Sequence, residues 1–391
     1  MGNNISDLYD YRLKKLDYIC ADIKIVLNMK LLRKSKINMV IGIIASVLVI
    51  MTVTGIIFVN QPRFGRVPKG ERLERIKKSP HYKDGQFQNL HTTLMMTAPK
   101  GRLEVLWDFI FKREKDLRPE KEIPAIKTDL KNIGRNENVL VWFGHSSYFI
   151  QIDRKRILVD PVFCMAAPVG FLNKPFKGVD IYEPDDMPDI DYLIITHDHW
   201  DHLDYHTVKQ LKDRIGKVVC PLGVGEHFEY WGFDKTRLVE LDWYEDAVLD
   251  NSFMIHCLPS RHFSGRFLKS NQSLWASFLV ETPSQKIYMG GDGGYDTHFA
   301  EIGRKYPGIN IAILENGQYN DDWKYIHTMP IYLEQIMQDL NAEKYLTVHH
   351  SKYALARHPW NEPLKNARKL KEKDSLNILM PVIGEIVSLE D

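Results

Sequence analysis

The chain carries almost no net charge: 52 Lys and Arg against 51 Asp and Glu leave +1 over 391 residues. Proteins whose main partner is nucleic acid usually show a basic excess, so that class is disfavoured. Cysteine is sparse as well. Cys20, Cys164, Cys220 and Cys257 stand far apart with no CxxC, which excludes a disulfide framework and a cysteine-based zinc knuckle. No low-complexity tract and no repeat of fixed period stands out, which tells against solenoid and linker architectures. What is left, 44% hydrophobic and 26% charged, is ordinary globular composition. The length suits one large domain with extra parts.

One segment departs from that composition. Met39 to Val59 reads MVIGIIASVLVIMTVTGIIFV, with no charge at all. A helix of that length spans roughly 30 Å, the thickness of a bilayer core. The spacing predicts a single transmembrane helix over 39–59 rather than a cleaved signal peptide, since 38 residues precede it. Lys30, Arg33, Lys34 and Lys36 flank it on one side; Arg63, Arg66, Lys69, Arg72, Arg75, Lys77 and Lys78 follow on the other. Both flanks are basic, and the charges nearest the span favour a cytoplasmic N-terminus with the large domain on the extracytoplasmic side. The opening MGNNIS matches a myristoylation pattern, a short match that is redundant beside a span.

Residues 1–38 alternate apolar and basic and read as an amphipathic segment lying at a surface. Residues 60–137 read as a connector and N-terminal extension without strong periodicity. Its exception is 101–116, GRLEVLWDFIFKREKD, an apolar helix that either packs on a neighbouring domain or touches lipid. From 138 to 391 short apolar runs recur (VLVWF, YFIQI, RILVD, YLIIT, INIAIL, YLTVHH) with helix-like stretches between them. Strands interleaved with helices predict an α/β layered domain.

The chemistry gathers at strand ends. YLIIT (192–196) delivers His197, Asp198, His199, Trp200, Asp201 and His202 onto one loop. Imidazoles and carboxylates are ligands that zinc, iron and manganese accept. His197 and His199 can address one metal and the neighbouring pair Asp201 and His202 a second. Four ligands are too few for two metals, so the count demands others. His262 in LPSRHFSGR, Asp292 in MGGDGGY and His349 in LTVHHSKY each follow an apolar run and complete it. The glycines around Asp292 permit the backbone a close approach. Asp198 and Trp200 read as loop-shaping. His145 is balanced between a partner of the ligands and a turn residue, while His256, His298 and His358 are ordinary polar positions. Lys352 and Tyr353 lie near enough to His349 to meet an anionic group.

The ordered loop H-x-H-x-D-H, followed by separate His, Asp and His, resembles the signature of the metallo-β-lactamase superfamily over residues 138–385. Within it the chain is most similar to the N-acylphosphatidylethanolamine-hydrolysing phospholipase D group. That similarity is carried by VWFGHSSYFIQI, ILVDPVF, ITHDHWDHLD, CPLGVGEHFEYWGF, VELDWYE, LPSRHFSGR, SLWASFLVE, GGDGGYD and VHHSKY. The resemblance implies a four-layer αββα sandwich, preceded here by the transmembrane helix. It implies two zinc ions per chain, other divalent metals fitting the same donors. His197, His199 and His262 would hold one, Asp201, His202 and His349 the other, with Asp292 bridging. It also implies a head-group contact from His327 in YIHTMP, and puts the ligand at His349 rather than His350. His199, where the oxygen-reducing diiron branch has Glu, tells against that branch.

These implications lead to a membrane-anchored dinuclear zinc phosphodiesterase of phospholipase D type, acting on N-acylphosphatidylethanolamine-like lipids, with Asp292 and His327 as the catalytic pair. Two rivals stay open. One is a lactonase or other hydrolase of a small anionic ester on the same metals. The other is a membrane-tethered metal-binding sensor that no longer turns over. The sequence is silent on oligomeric state.

Overall fold

The computed structural model describes residues 4–390 apart from 100, 102–103, 105–106, 108–111, 113, 171–172, 251, 267–268 and 374–375. The helix expected at 101–116 therefore lies largely outside the described residues. The chain forms two units, Met1–Gln61 and Pro62–Asp391.

The first unit is one helix, α1 (Asn4–Val59), where the sequence suggested an amphipathic segment followed by a separate span. Neither proline nor glycine interrupts residues 3–41, so nothing breaks the hydrogen-bond ladder between the two. Every side chain from Lys14 to Ile57 is exposed. By length and composition this helix can cross a membrane.

The second unit begins with α2 (Gly70–Lys78) and a short hairpin, β1 (Tyr82–Lys83) and β2 (Gln86–Phe87). The chain then lays down β3 (Val139–Trp142), β4 (Tyr148–Ile152), β5 (Lys155–Val159) and β6 (Ile190–Ile194). There follow α3 (Tyr205–Leu211), β7 (Ile215–Pro221), α4 (Gly225–Tyr230) and β8 (Leu238–Leu241). The second half runs β9 (Asp246–Asp250), β10 (Phe253–Leu258), β11 (Ser277–Glu281), β12 (Lys286–Met289), α5 (His298–Lys305) and β13 (Ile311–Glu315). It ends with α6 (Pro330–Leu340), β14 (Lys344–Val348), α7 (Glu362–Lys371), β15 (Ile378–Leu379) and β16 (Ile386–Ser388).

Two seven-stranded sheets result, ordered β16-β3-β4-β5-β6-β7-β8 and β15-β14-β13-β12-β11-β10-β9. Both follow one plan. From β16 to β5 and from β9 to β12 the pairings are antiparallel; from β5 to β8 and from β12 to β15 they are parallel. The strands are apolar on both faces because both faces are covered. Leu140, Trp142, Ile150 and Ile194 of the first sheet meet Ile255, Phe278, Ile287 and Ile313 of the second in the central core. One residue along, Val141, Phe149 and Leu193 turn outward against Val208, Leu211 and Phe228 of α3 and α4. On the other side Leu279, Tyr288 and Leu314 pack on Phe299, Ile302, Leu333 and Met337 of α5 and α6. Helix, sheet, sheet, helix are the four layers.

The stretch read as a connector is built into this body. Ile76 and Phe87 are fully buried in the central core, and Leu130 and Ile133 in the layer outside the first sheet. Single apolar anchors that far apart leave no period in the sequence.

Candidate metal centre

Strands β3, β5, β6, β10, β12, β13 and β14 run in a common sense within their sheets, and each is followed by a residue of the site. That placement, in the crevice beyond the carboxyl ends of strands, is where α/β sheets hold ligands. The β6 loop is turned back on itself: His202 N and Leu203 N both donate to His199 O (3.1 and 2.8 Å). Asp204 then caps α3, accepting from His206 N at 3.0 Å. The turn sets His197 and His199 apart from Asp201 and His202.

The first cluster is His197, His199 and His262. His197 Nε2 lies 2.9 Å from His199 Nδ1, and His262 Nε2 lies 3.2 Å from the same atom. His262 Nδ1 faces Ile326 O at 2.7 Å, which fixes its proton there and leaves Nε2 as a lone pair. Burial holds all three imidazoles below their ordinary pKa, His197 and His262 well below it. Imidazoles held below their ordinary pKa with ring nitrogens converging suit a cation between them.

The second cluster is Asp201, His202 and His349, with His145 alongside. Asp292 stands between the two. Its Oδ2 is 3.1 Å from His202 Nε2, 3.8 Å from His262 Nε2 and 4.0 Å from His197 Nε2, while Oδ1 is 3.2 Å from His349 Nδ1. Although buried, His202 Nε2 and Asp292 Oδ1 make no hydrogen bond. Burial opposes a charge on His202, but Asp292, Asp201 and Asp160 outweigh it and push its pKa up. Orphaned donor atoms beside a surplus of carboxylate are what a metal site presents when its ligands are in place. The residues fit the group.

The glycines act as their spacing suggested. A Cβ on Gly294 would fall 2.0 Å from Tyr325 O, and one on Gly293 2.3 Å from Ser260 Oγ, so the strand end carrying Asp292 can pass between those loops only without side chains.

His327 lies over this centre, its ring 5.0 Å from that of His262 and 5.5 Å from that of His349. Its Nδ1 is in close contact with Glu315 Oε1. Glu315 Oε2 accepts from Gly293 N at 2.7 Å. Burial pushes the Glu315 carboxyl up despite His327, and Glu315 in turn raises His327 against its own burial. The sequence reading passed over Glu315, although it ends the apolar run INIAILE in the manner of the other site residues. It passed over Asp160 as a participant too. That carboxylate follows β5, accepts from Thr196 N and Oγ1 (2.8 and 2.6 Å) and meets His202 Nδ1 at 2.7 Å. Ser146 Oγ is 2.8 Å from His349 Nδ1.

The remaining candidates sort plainly. His145 Nε2 meets Asp201 Oδ2 at 2.8 Å, so it is a partner of a candidate ligand rather than an idle turn residue. His350 points away, its nitrogens on Ser351 Oγ and Thr347 O. Asp198 is turned from the centre and accepts from Gly265 N and Ser273 Oγ (2.7 and 2.9 Å). Trp200 packs on Phe64 and under the Arg266 guanidinium. Lys352 is buried, with Nζ donating to Val162 O at 3.0 Å, and Tyr353 packs on the His145 ring. His256 pairs with Asp246, His298 is buried in the first turn of α5, and His358 accepts from Gln318 N.

The beta-lactamase superfamily domain matches residues 155–350, so the chain belongs to that superfamily: it is a metal-dependent hydrolase of metallo-β-lactamase fold. It stands close to the N-acylphosphatidylethanolamine-hydrolysing phospholipase D group. An uncharacterized protein of Mycobacterium tuberculosis is 33% identical over 317 residues, 80% of this chain and 85% of that one. The N-acyl-phosphatidylethanolamine-hydrolyzing phospholipase D 1 of Caenorhabditis elegans is 27% identical over 231 residues, 55% of this chain and 64% of that one. Among solved structures, the isothiocyanate hydrolase from Delia radicum gut bacteria superposes with a TM-score of 0.50 at 16% identity, covering 64% of this chain and 98% of that one. At that identity the likeness is one of fold.

Proposed function

We propose that this protein is a dinuclear zinc phosphodiesterase that cleaves N-acylphosphatidylethanolamine-like lipids at a membrane. The observation that carries it is the convergence of His197, His199, Asp201, His202, His262, Asp292 and His349 on one largely buried centre, where His202 Nε2 and Asp292 Oδ1 make no hydrogen bond. His197, His199 and His262 would hold one zinc; Asp201, His202 and His349 the other; Asp292 both. Two divalent cations bound there would supply an activated water and neutralise charge on the phosphate oxygens.

The protein's own groups do the rest. Asp292 keeps the two ligand sets in register. His327, whose Nδ1 is engaged by Glu315 and whose pKa Glu315 raises, would donate to a phosphate or leaving-group oxygen. Asp160 and Ser146 hold the rings of His202 and His349 at fixed angles. The lipid substrate is supported by the name of the nematode relative and by α1, an apolar helix that would anchor the enzyme as a single pass with its catalytic unit outside the cytoplasm.

The test is the purified, zinc-loaded protein offered vesicles containing N-acylphosphatidylethanolamine. Release of phosphatidic acid is expected, and its loss on Asp292→Asn. Lactone opening without lipid cleavage would replace this substrate with a small ester. Full biological output from the Asp292→Asn variant would instead mark a sensor.

A further inference from the structure

The segment that opens the second unit precedes every candidate ligand in sequence, yet its contacts end on the loops of the first cluster. Asn89, just beyond the β1–β2 hairpin, sits against His262, 173 positions further on. Its Nδ2 donates to His262 O at 2.8 Å, and its Oδ1 accepts from His262 N at 3.0 Å and from Trp275 Nε1 at 3.1 Å. A single amide side chain thus takes both main-chain polar groups of one candidate ligand. Only a side chain with a donor and an acceptor in one planar fork can do so. The fork is itself held: Phe87 is fully buried in the central core, and its N–H donates to Asn271 O at 2.9 Å.

A second clasp grips the loop of His197 and His199. Arg66 N donates to His227 Nδ1 at 3.0 Å, and His227 Nε2 meets Asp198 Oδ2 at 3.1 Å. Asp198 is the residue between the two histidines. Gly65, at φ +72°, passes so near that a Cβ would fall 2.0 Å from His227 Nδ1. The buried Arg266 guanidinium ties the same parts together, donating to Arg63 O (2.9 Å), Asp198 O (2.9 Å) and Leu203 O (2.6 Å). The second cluster is braced from elsewhere, by His145, Asp160 and Ser146 beyond β3 and β5.

We infer that residues 62–89 are a positioning element for the first metal alone, with Asn89 the residue that sets His262. The inference rests on the metal reading above and adds to it a division of labour: the second ligand set is braced within the sandwich, while His262 and the loop of His197 and His199 also take contacts from the segment that precedes it.

Zinc affinity, read by competition with a chromophoric chelator on the full chain, tests this without reference to turnover. The wild type should release zinc in two steps, and His262→Ala identifies the step belonging to the first site. Asn89→Ala should weaken that step about 10-fold or more and leave the other within about twofold. Asn89→Asp keeps the acceptor bonds to His262 N and Trp275 but loses the donor to His262 O, so it should fall between. It also supplies the answer if the alanine variant does not fold. Arg75→Ala, which removes an exposed ion pair of the same segment with Glu245, should leave both steps in place. Two wild-type steps that neither Asn89 variant moves would overturn the inference alone. So would two steps weakened alike, or an Arg75→Ala variant as impaired as Asn89→Ala. A wild type that binds no zinc would sink the metal reading together with it.

Discussion

The two halves of the metal centre are built from different materials. The first offers three imidazoles that burial holds below their ordinary pKa, His262 with its Nδ1 engaged by Ile326 O. The second offers two imidazoles and a carboxylate, with two further acids, Asp160 and Asp292, that together with Asp201 push the His202 pKa up against its burial. They also differ in what holds them. His202 and His349 are fixed by Asp160 and Ser146, residues at the ends of neighbouring strands in the first sheet. His262 is fixed by Asn89 and by Ile326 O, reached across long loops. A site braced by paired strands is as rigid as the sheet. One braced by loop contacts depends on each contact being made.

That contrast can be broken or sharpened by substitution, in order of expected effect. Asp292→Asn touches both halves. Turnover should fall below about one-thousandth of wild type, and both zinc steps should weaken together, because one carboxylate serves both sets. Weakening confined to one step would show that Asp292 belongs to one metal. His327→Ala should cost roughly 10²- to 10⁴-fold in turnover with zinc content unchanged at two; loss of zinc would make His327 a ligand and redraw the comparison. Asp160→Asn removes the acceptor that orients His202 and should weaken only the second step, by about 10- to 100-fold. That is the mirror of Asn89→Ala. Smallest of all is Thr196→Val. Its hydroxyl lies 3.0 Å from His197 Nδ1 and 2.6 Å from Asp160 Oδ2, so both steps should shift by about 1 kcal/mol, roughly fivefold. An unchanged first step there would mean that His197 is oriented without it.

The parts that were readable in the sequence are those with local signals. Apolar runs ending in His or Asp mark the strand ends, and the spacing within residues 197–202 already sets His197 and His199 apart from Asp201 and His202. The layered α/β class followed from the alternation of runs and helices. What escaped reading has no local signal. Asn89 is an unremarkable polar residue after a two-residue strand; its importance lies in a contact 173 positions away. Ile76 stands among charges and Phe87 between two glutamines, so neither leaves a core-like period in the sequence. Glu315 and Asp160 did carry the strand-end signal. They were left aside because the ligand count was full without them, and counting ligands does not count the groups that aim them. Residues 1–59 were divided by composition, whereas backbone continuity depends on the absence of breakers, and there the polar and apolar stretches are alike.

The pairing of β16 with β3 sets an order of assembly. Ile386 joins Val141 and Ser388 joins Val139, so the edge of the first sheet waits for residues near the far end of the unit. Until they arrive, β3 shows a bare row of amides and carbonyls, an invitation to pair with another chain. The β3–β4 turn beside that edge carries His145 and Ser146, which meet the candidate ligands Asp201 and His349. A chain that lost β16 would therefore present an open sheet edge beside the candidate site, and aggregation of the purified protein is the outcome to expect.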